Sequence, residues 1–505
     1  MVNREAFTQQ PWFVLLSLFA IAFVALFPGI GEVTGITGKD EYLLTIRTPM
    51  HMIEGSHGWL PWLDGLPRLR KPPLLYWLGK LSYELFGVSL TSARIIGVLF
   101  ASTLVIATAA LSLRLYGNVR QAFLSGLMIL GMVGIMIDGR RYLLDIPVAA
   151  LSTLAVLLLL AWDETRSTRW LLLSMCCLGL AFLSKGPVSL IFYLSAFCAW
   201  LLTRSALNNK HPFNWKHWIL SLSIPLLLIS SWYAYVYQLY PEQLMQSLYE
   251  EAQGRNLLQF SLGPFFNLIV IALPWSPVAF YLLVRALKTA ELSSTAKSRL
   301  LFLAAWLVLS IVPFFFFRTF SRYLYGVLVP FTLLAAILII NLPELRSARF
   351  WLRTGAFLSL LLGATLTVFV FWFRELDLVL LLSLLPLLLF AYAWWKSASL
   401  FQMALAAILY WVSITAVVYP RMGINSLPAG VTDIIENNYT VLYAGPQPAM
   451  LPLATGRGLR ATSRLSTLPP EVLDTCKGFL LFMPDSMLSM AQRQMSDLEL
   501  KYTEL

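Results

Sequence analysis

The chain has 505 residues, of which 58% are apolar and only 12% charged. A soluble globular protein carries roughly twice that charged fraction, so the composition argues against a water-soluble fold. The formal net charge of +11 would point to nucleic acid on a soluble domain, but here it reads as the basic bias of membrane loops, and no nucleic-acid partner is expected.

Apolar runs of about 17–22 residues recur along the chain, and about 20 helical residues cross a hydrocarbon core of roughly 30 Å. Lipid offers the backbone no hydrogen-bond partner, so these runs are predicted as helices. In chain order they fall near residues 12–30, 91–115, 121–137, 143–162, 170–184, 186–203, 217–239, 264–285, 299–317, 321–341, 350–373, 377–395 and 399–419. The first lacks a small-residue cleavage site and is read as a retained helix rather than a signal peptide. Cys176, Cys177 and Cys198 lie inside such runs and Cys476 stands apart. This spacing suggests neither a disulfide framework nor a zinc site.

Two stretches differ. Residues 31–90 are mixed in character. Leu43, Ile46, Met50 and Ile53 recur at helical spacing, and Leu75, Leu78, Ser82 and Leu85 do so again after Pro72 and Pro73. Both are predicted as amphipathic helices lying on a membrane surface. The segment 421–505 is more polar. TVLYAG and GFLLFM read as strands, each followed by a helix-like stretch. The predicted organisation is an all-α polytopic domain over 1–420 with about 13 membrane helices, its first outer loop at 31–90, and a small α/β domain over 421–505.

With a cytoplasmic N-terminus, the inner loops hold about twice as many Lys and Arg as the outer ones, as the positive-inside rule requires. Outside the first loop, the outer cations are Arg140, Arg141, Lys185, Arg255, Arg318, Arg322 and Arg374. Together with Arg70 and Lys71 they are either snorkelling anchors or ligands for an anion held at that face. Asp40 and Glu41, in KDEY, open a predicted helix, where the dipole favours acids; catalysis would need a further acid and a cationic clamp. Asp145, in LLDIPVAA, sits at the mouth of a span, either paired with Arg140 or Arg141 or placed for function. Lys71 precedes two prolines, Lys185 occupies a tight turn, Arg318, Arg322 and Tyr323 share RTFSRYLY, and Arg255 lies in YEEAQGRN. Several such cations converging would hold a phosphate by charge-assisted hydrogen bonds. His51, Glu54 and His57 share one helix face; solvated side chains are the simpler reading, and no metal is assigned. No nucleotide-binding or zinc-protease motif is present.

KDEY, WLPWLDGLPRLRKPPLLYWLGKLSYELFG with the following TSAR, LLDIPVAAL, GLAFLSKGPV and ALPWSP, in this order, resemble the GT-C superfamily of membrane glycosyltransferases. Within it they are most similar to the protein mannosyltransferases and the aminoarabinose transferases of lipid A. The resemblance covers about residues 1–340. It implies a glycosyltransferase of the bacterial inner membrane with its site facing the periplasm. The implied donor is a sugar on undecaprenyl phosphate, the acceptor is a lipid or glycan, and no cofactor is implied. It also implies that Asp40 is the first-loop acid, Asp145 the second acid, and Lys71 the lysine that binds the carrier phosphate. Arg255 and Tyr323 fall near further phosphate contacts, with Arg318, Arg322 and Lys185 as additional cations, and Glu41 supports acceptor or sugar. The chain departs from the pattern where Arg70 replaces an acid, Leu43 an Arg, and Glu250 a metal-binding His. An Arg70–Glu250 pair is therefore expected to bridge two loops in place of a metal. Transfer to Ser or Thr of exported proteins is an alternative. A lipid-linked sugar transporter is a rival of another class, although neither internal repeats nor broken midplane helices are evident. A scaffold that keeps the fold without activity is a third.

Overall fold

The structure is a computed structural model. It describes residues 11–32, 40–55, 57–63, 65–203, 215–254, 259–288, 294–341, 346–373, 377–396, 399–422, 440–443, 460–461, 479–483 and 485–497. The chain divides into two compact units. The first comprises Met1–Ile30, Leu69–Leu75 and Arg94–Met422; the second comprises Gly31–Arg68, Tyr76–Ala93 and Gly423–Leu505. Most of residues 31–90 fall in the second unit, and Leu69–Leu75 in the first.

The helices in chain order are α1 (Pro11–Leu26), α2 (Arg47–Glu54), α3 (Leu74–Phe86), α4 (Leu90–Tyr116), α5 (Val119–Leu130), α6 (Val133–Asp138), α7 (Asp145–Thr165), α8 (Thr168–Lys185), α9 (Val188–Thr203) and α10 (Trp215–Leu239). They continue with α11 (Pro241–Gln253), α12 (Gly263–Ile271), α13 (Ser276–Lys288), α14 (Ser294–Ile311), α15 (Leu328–Asn341), α16 (Arg346–Phe373), α17 (Leu378–Leu382), α18 (Leu384–Trp395) and α19 (Leu400–Ser413). Among the described residues, eight helical segments are long and apolar enough to cross a membrane. One bent pair and four shorter apolar helices occupy the remaining predicted runs. The protein is therefore an all-α, multi-pass membrane protein.

Burial separates core from periphery. In α7, 83% of the apolar window is buried, against 22% in α10 and 28% in α16. The continuous apolar sequence of α7 is thus packed among other helices, whereas Leu226, Leu227, Phe357 and Val368 are exposed on faces that suit lipid. Hydropathy alone could not make this distinction, because a residue facing lipid and a residue facing another helix are equally apolar.

Two predicted spans are not straight. The run 121–137 breaks after Leu130 into α5 and α6, and the run 264–285 breaks into α12 and α13 with a bend of 114°. The second break falls on ALPWSP. Pro274 has no N–H to continue the ladder, and Ser276 Oγ donates to Ile269 O at 2.6 Å. Each break helps satisfy the other: Val133 N donates to Leu273 O at 3.1 Å. A Cβ added to Gly134 would lie 2.9 Å from Ile271 Cβ, so the lack of a side chain at Gly134 permits the close crossing. Interrupted helices survive at membrane depth when protein supplies the lost backbone partners. Neither Gly131 nor Pro274 interrupts the apolar run, so hydropathy carries no sign of either break.

In the second unit, Asp40–Thr45 forms a turn of π-helix that leads into α2. Met50 and Met52 are buried there, as is Ile46 just ahead of the helix. Helix α3 departs from its predicted stripe. Of that stripe Leu75 and Ser82 are buried but Leu85 is exposed, and Tyr76 and Tyr83 are buried outside it. Strands β1 (Trp62–Leu63) and β2 (Leu66–Pro67) form a short antiparallel hairpin. In the C-terminal segment β3 (Thr440–Tyr443), β4 (Arg460–Ala461) and β5 (Phe479–Phe482) pair in parallel, in the order β4-β3-β5. β3 and β5 fall on the two predicted strands, and a helix at Leu488–Asp497 follows β5.

Candidate active site

Helix α7 starts at Asp145, so the carboxylate stands at the N-terminus of the most buried span. Its surroundings come from distant elements of the first unit. Lys185, the last residue of α8, donates to Asp145 Oδ1. Arg322 Nε lies 3.5 Å from Asp145 Oδ2, with side-chain exposures of 19% and 5%. Asp145 is thus paired with Lys185 and Arg322, and neither Arg140 nor Arg141 makes an ion pair to it among the described residues. Lys185 Nζ also sits 3.7 Å from the centre of the Tyr323 ring, a cation–π contact that fixes the ammonium beside a polarisable face.

The prolines after Lys71 bring it to the same place. Gly186, in the turn after Lys185, has φ +88, and a Cβ built on it would lie 3.9 Å from Pro72 Cγ. Lys71 and Arg322 are near enough for their charges to act on Lys185. Lys71 Nζ donates to Glu251 Oε1 at 2.6 Å. Arg70 Nε approaches the other oxygen of that carboxylate at 3.4 Å. Among the described residues, ion pairs and charge contacts thus link four cations (Arg70, Lys71, Lys185 and Arg322) with two carboxylates (Asp145 and Glu251).

The expected Arg70–Glu250 pair is not formed. Successive residues on a helix point about 100° apart, so on α11 only one of two adjacent glutamates can face Arg70, and Glu251 does. Glu250 instead accepts from Gln246 Nε2 at 3.1 Å, one turn back. Arg318 is exposed, with its guanidinium 5.6 Å from the Phe320 ring, and makes no ion pair to the cluster among the described residues. Arg255 lies outside the described residues.

Asp40 and Glu41 belong to the second unit. Asp40 is partly exposed at the head of the π-helical turn, and Thr45 Oγ1 donates to its carbonyl at 2.7 Å. Glu41 is fully buried. The shared helical face of His51, Glu54 and His57 does not persist: α2 stops at Glu54, His51 lies 3.5 Å from Arg47 Nη2, and His57 stacks on Trp62 at 3.8 Å.

A second layer lies behind Asp145. Tyr325 donates its hydroxyl to Asp138 Oδ2, and Arg141 Nη1 donates to Asp138 Oδ1 at 2.8 Å. Asp138 and Tyr325 stand in the same sequence blocks as Asp145 and Arg322, yet neither residue type alone marks them. Glu251 was missed because it is indistinguishable from Glu250 without the helical phase.

Residues 70–235 match the family described as dolichyl-phosphate-mannose-protein mannosyltransferase. An uncharacterised protein of Aquifex aeolicus is 32% identical over 198 residues, which is 39% of this chain and 44% of that protein. The undecaprenyl phosphate-alpha-4-amino-4-deoxy-L-arabinose arabinosyl transferase 2 of Proteus mirabilis is 25% identical over 350 residues, 66% of this chain and 59% of that one. The matches thus span less than two thirds of these curated relatives. The crystal structure of ArnT from Cupriavidus metallidurans bound to undecaprenyl phosphate superposes with a TM-score of 0.70 at 17% identity, covering 96% of this chain and 95% of that one. Its apo form gives 0.67 at 17% identity. The chain therefore has the fold of the ArnT structures, and its residues 70–235 are similar to the mannosyltransferase family.

Proposed function

We propose that the chain is a glycosyltransferase that moves a sugar from a polyprenyl phosphate to an acceptor at the outer face of a bacterial inner membrane. One observation carries the reading: Lys185 and Arg322 pair with Asp145 at the N-terminus of α7, and Lys71, which shares Glu251 with Arg70, is near enough for its charge to act on Lys185. Residues 1–420 form the catalytic domain in this reading, and 421–505 a periplasmic appendage.

Clustered cations suit the chemistry. The donor phosphodiester carries one negative charge. As the bond from the anomeric carbon to the phosphate oxygen breaks, the leaving phosphate gains a second. A cluster already in place when that charge develops favours the transition state over the bound donor. Lys71 and Arg322 take the phosphate oxygens. Tyr323 holds Lys185 against Asp145, which keeps the cations apart and oriented. Arg255 and Arg318 add positive charge near the carrier. On the acceptor side, Asp40 acts as general base for a hydroxyl and Glu41 supports it. Displacement from the face opposite the phosphate inverts the anomeric carbon. An acceptor that is itself a phosphate, such as that of lipid A, needs orientation more than deprotonation.

The decisive experiment incubates purified protein with a polyprenyl phosphate carrying a radiolabelled sugar and a membrane-lipid acceptor extract. Release of free polyprenyl phosphate with the label transferred supports the reading. Intact donor moved across the bilayer of a vesicle, with no bond broken, would make the protein a transporter instead.

A further inference from the structure

Helix α11 runs from the end of the span α10 to the Asp145 cluster, and most of its surface is uncovered. It has 13 residues, of which Leu244 is the one that is buried, and is about 20 Å long. Only Tyr240 separates it from α10. Near its other end Glu251 accepts from Lys71 at 2.6 Å and meets Arg70 at 3.4 Å. Lys71 in turn is near enough for its charge to act on Lys185, the last residue of the span α8. Both ends of α11 are therefore fixed where spans end, so the helix runs along that boundary rather than away from it.

At about 100° per residue, PEQLMQSLYEEAQ sorts into three sectors. Leu244 and Glu251 lie side by side and face the protein. On one flank of them come Leu248, Ala252, Met245 and Tyr249, and on the other Ser247, Gln243, Glu250 and Gln246. Met245, Leu248 and Tyr249 are 59%, 40% and 64% exposed. Protein to one side, an apolar arc next to it and a polar arc opposite is the arrangement of a helix lying in a membrane interface against a bundle. Gln253 Nε2 donates to Tyr249 Oη at 2.6 Å, which turns the polar tip of that ring toward the polar arc, as suits an interfacial tyrosine.

The apolar arc follows, one residue on in the chain, a surface that already suits lipid. α10 is the least buried of the long apolar helices, at 22%, and Tyr235 and Tyr237 stand exposed toward its end, where an aromatic belt belongs. The charge on α11 narrows the choice of lipid. The helix carries Glu242, Glu250 and Glu251 and no Lys or Arg, so attraction to anionic headgroups adds nothing, and attachment rests on apolar area.

We infer that α11 lies in the headgroup region of the membrane with Met245, Leu248 and Tyr249 against zwitterionic lipid, and that this seat holds Glu251 beside Lys71 and Arg70.

The test places a spin label on the full chain in phosphatidylcholine nanodiscs, at M245C, L248C, Q243C and Q246C in turn, with Cys176, Cys177, Cys198 and Cys476 replaced by alanine. Collision with oxygen, which concentrates in lipid, is compared with collision with a neutral nickel chelate, which stays in water. The oxygen-to-nickel ratio is expected to be roughly threefold higher at Met245 and Leu248 than at Gln243 and Gln246. Equal ratios at all labelled positions would leave the helix in water and overturn the inference. Exclusion of both reagents at Met245 and Leu248 would mean that protein covers the arc, a second copy or another part of this chain, and would overturn it too. Added phosphatidylglycerol is expected to shrink the difference; a difference that grows would overturn the choice of zwitterionic lipid. Should the alanine background fail to fold, the unmodified chain is reconstituted with phosphatidylcholine carrying a photoreactive diazirine on an acyl chain. Adducts mapped to Met245, Leu248 or Tyr249 support the seat, and their absence from α11 overturns it.

Discussion

Lys71 Nζ lies 2.6 Å from Glu251 Oε1, 180 residues away in the chain. The family-like KPP segment is thereby tied to the end of α11 through a carboxylate that also receives Arg70 at 3.4 Å. In the proposed mechanism a phosphate arriving at Lys71 meets a cation already partly neutralised, and Glu251 would set how tightly that phosphate is held.

Glu251→Gln keeps the shape and removes the charge. With side-chain exposures of 17% and 25%, the pair is partly screened, and freeing Lys71 is expected to tighten carrier-phosphate binding by roughly fivefold. Titration of the purified variant with undecaprenyl phosphate measures this. Weaker binding would mean that Glu251 positions Lys71 rather than competing for it.

Asp145 and Lys185 are 5% and 4% exposed. Removing one partner of a buried pair costs about 3–5 kcal/mol, less for Lys185→Met because Asp145 keeps Arg322 at 3.5 Å. Asp145→Asn and Lys185→Met are each expected to lower the unfolding temperature, and the double variant to recover part of the loss. Differential scanning of the three variants checks this; a double variant less stable than either single one would show that the pair is not the relevant unit.

Tyr325 anchors the 3₁₀ turn Ser321–Leu324, which carries Arg322 and Tyr323, to Asp138. It touches no reacting atom in the proposed mechanism and acts by positioning. Tyr325→Phe is expected to raise the donor KM about tenfold while kcat changes little, because the phosphate ligands stay present but lose their alignment. Asp138→Asn, which can still accept the bond, should restore more than Asp138→Ala. An unchanged KM in both would remove the pair from the account.

The two proposed roles separate kinetically. Asp40→Asn is expected to abolish transfer, with membrane insertion and donor binding intact, because only proton transfer and acceptor orientation are lost. Lys71→Ala is expected to weaken donor binding more than the chemical step. Full turnover in Asp40→Asn would exclude it as the base, and undiminished donor affinity in Lys71→Ala would exclude the clamp.

Much of the molecule was legible in the chain itself. Hydropathy is a local property, so all thirteen apolar runs could be placed from composition and length alone. The strands at Thr440–Tyr443 and Phe479–Phe482 announced themselves in the same way, as short apolar runs bounded by turn residues. The importance of Asp145, Lys71, Lys185 and Arg322 could be suspected because ionisable groups at the ends of apolar spans are costly. Their mutual arrangement could not. Glu251 rather than Glu250 meets Arg70 because of the rotational phase of α11, and Asp145 takes Lys185 and Arg322 because α8 and the 3₁₀ turn deliver them there. The crossing of the two broken helices at Gly134 and Leu273 depends on backbone groups from segments about 140 residues apart. Sequence determines which residues cannot be left in lipid; only packing decides which partner each one finds, since a charge is satisfied by proximity in space and the chain records proximity only along itself.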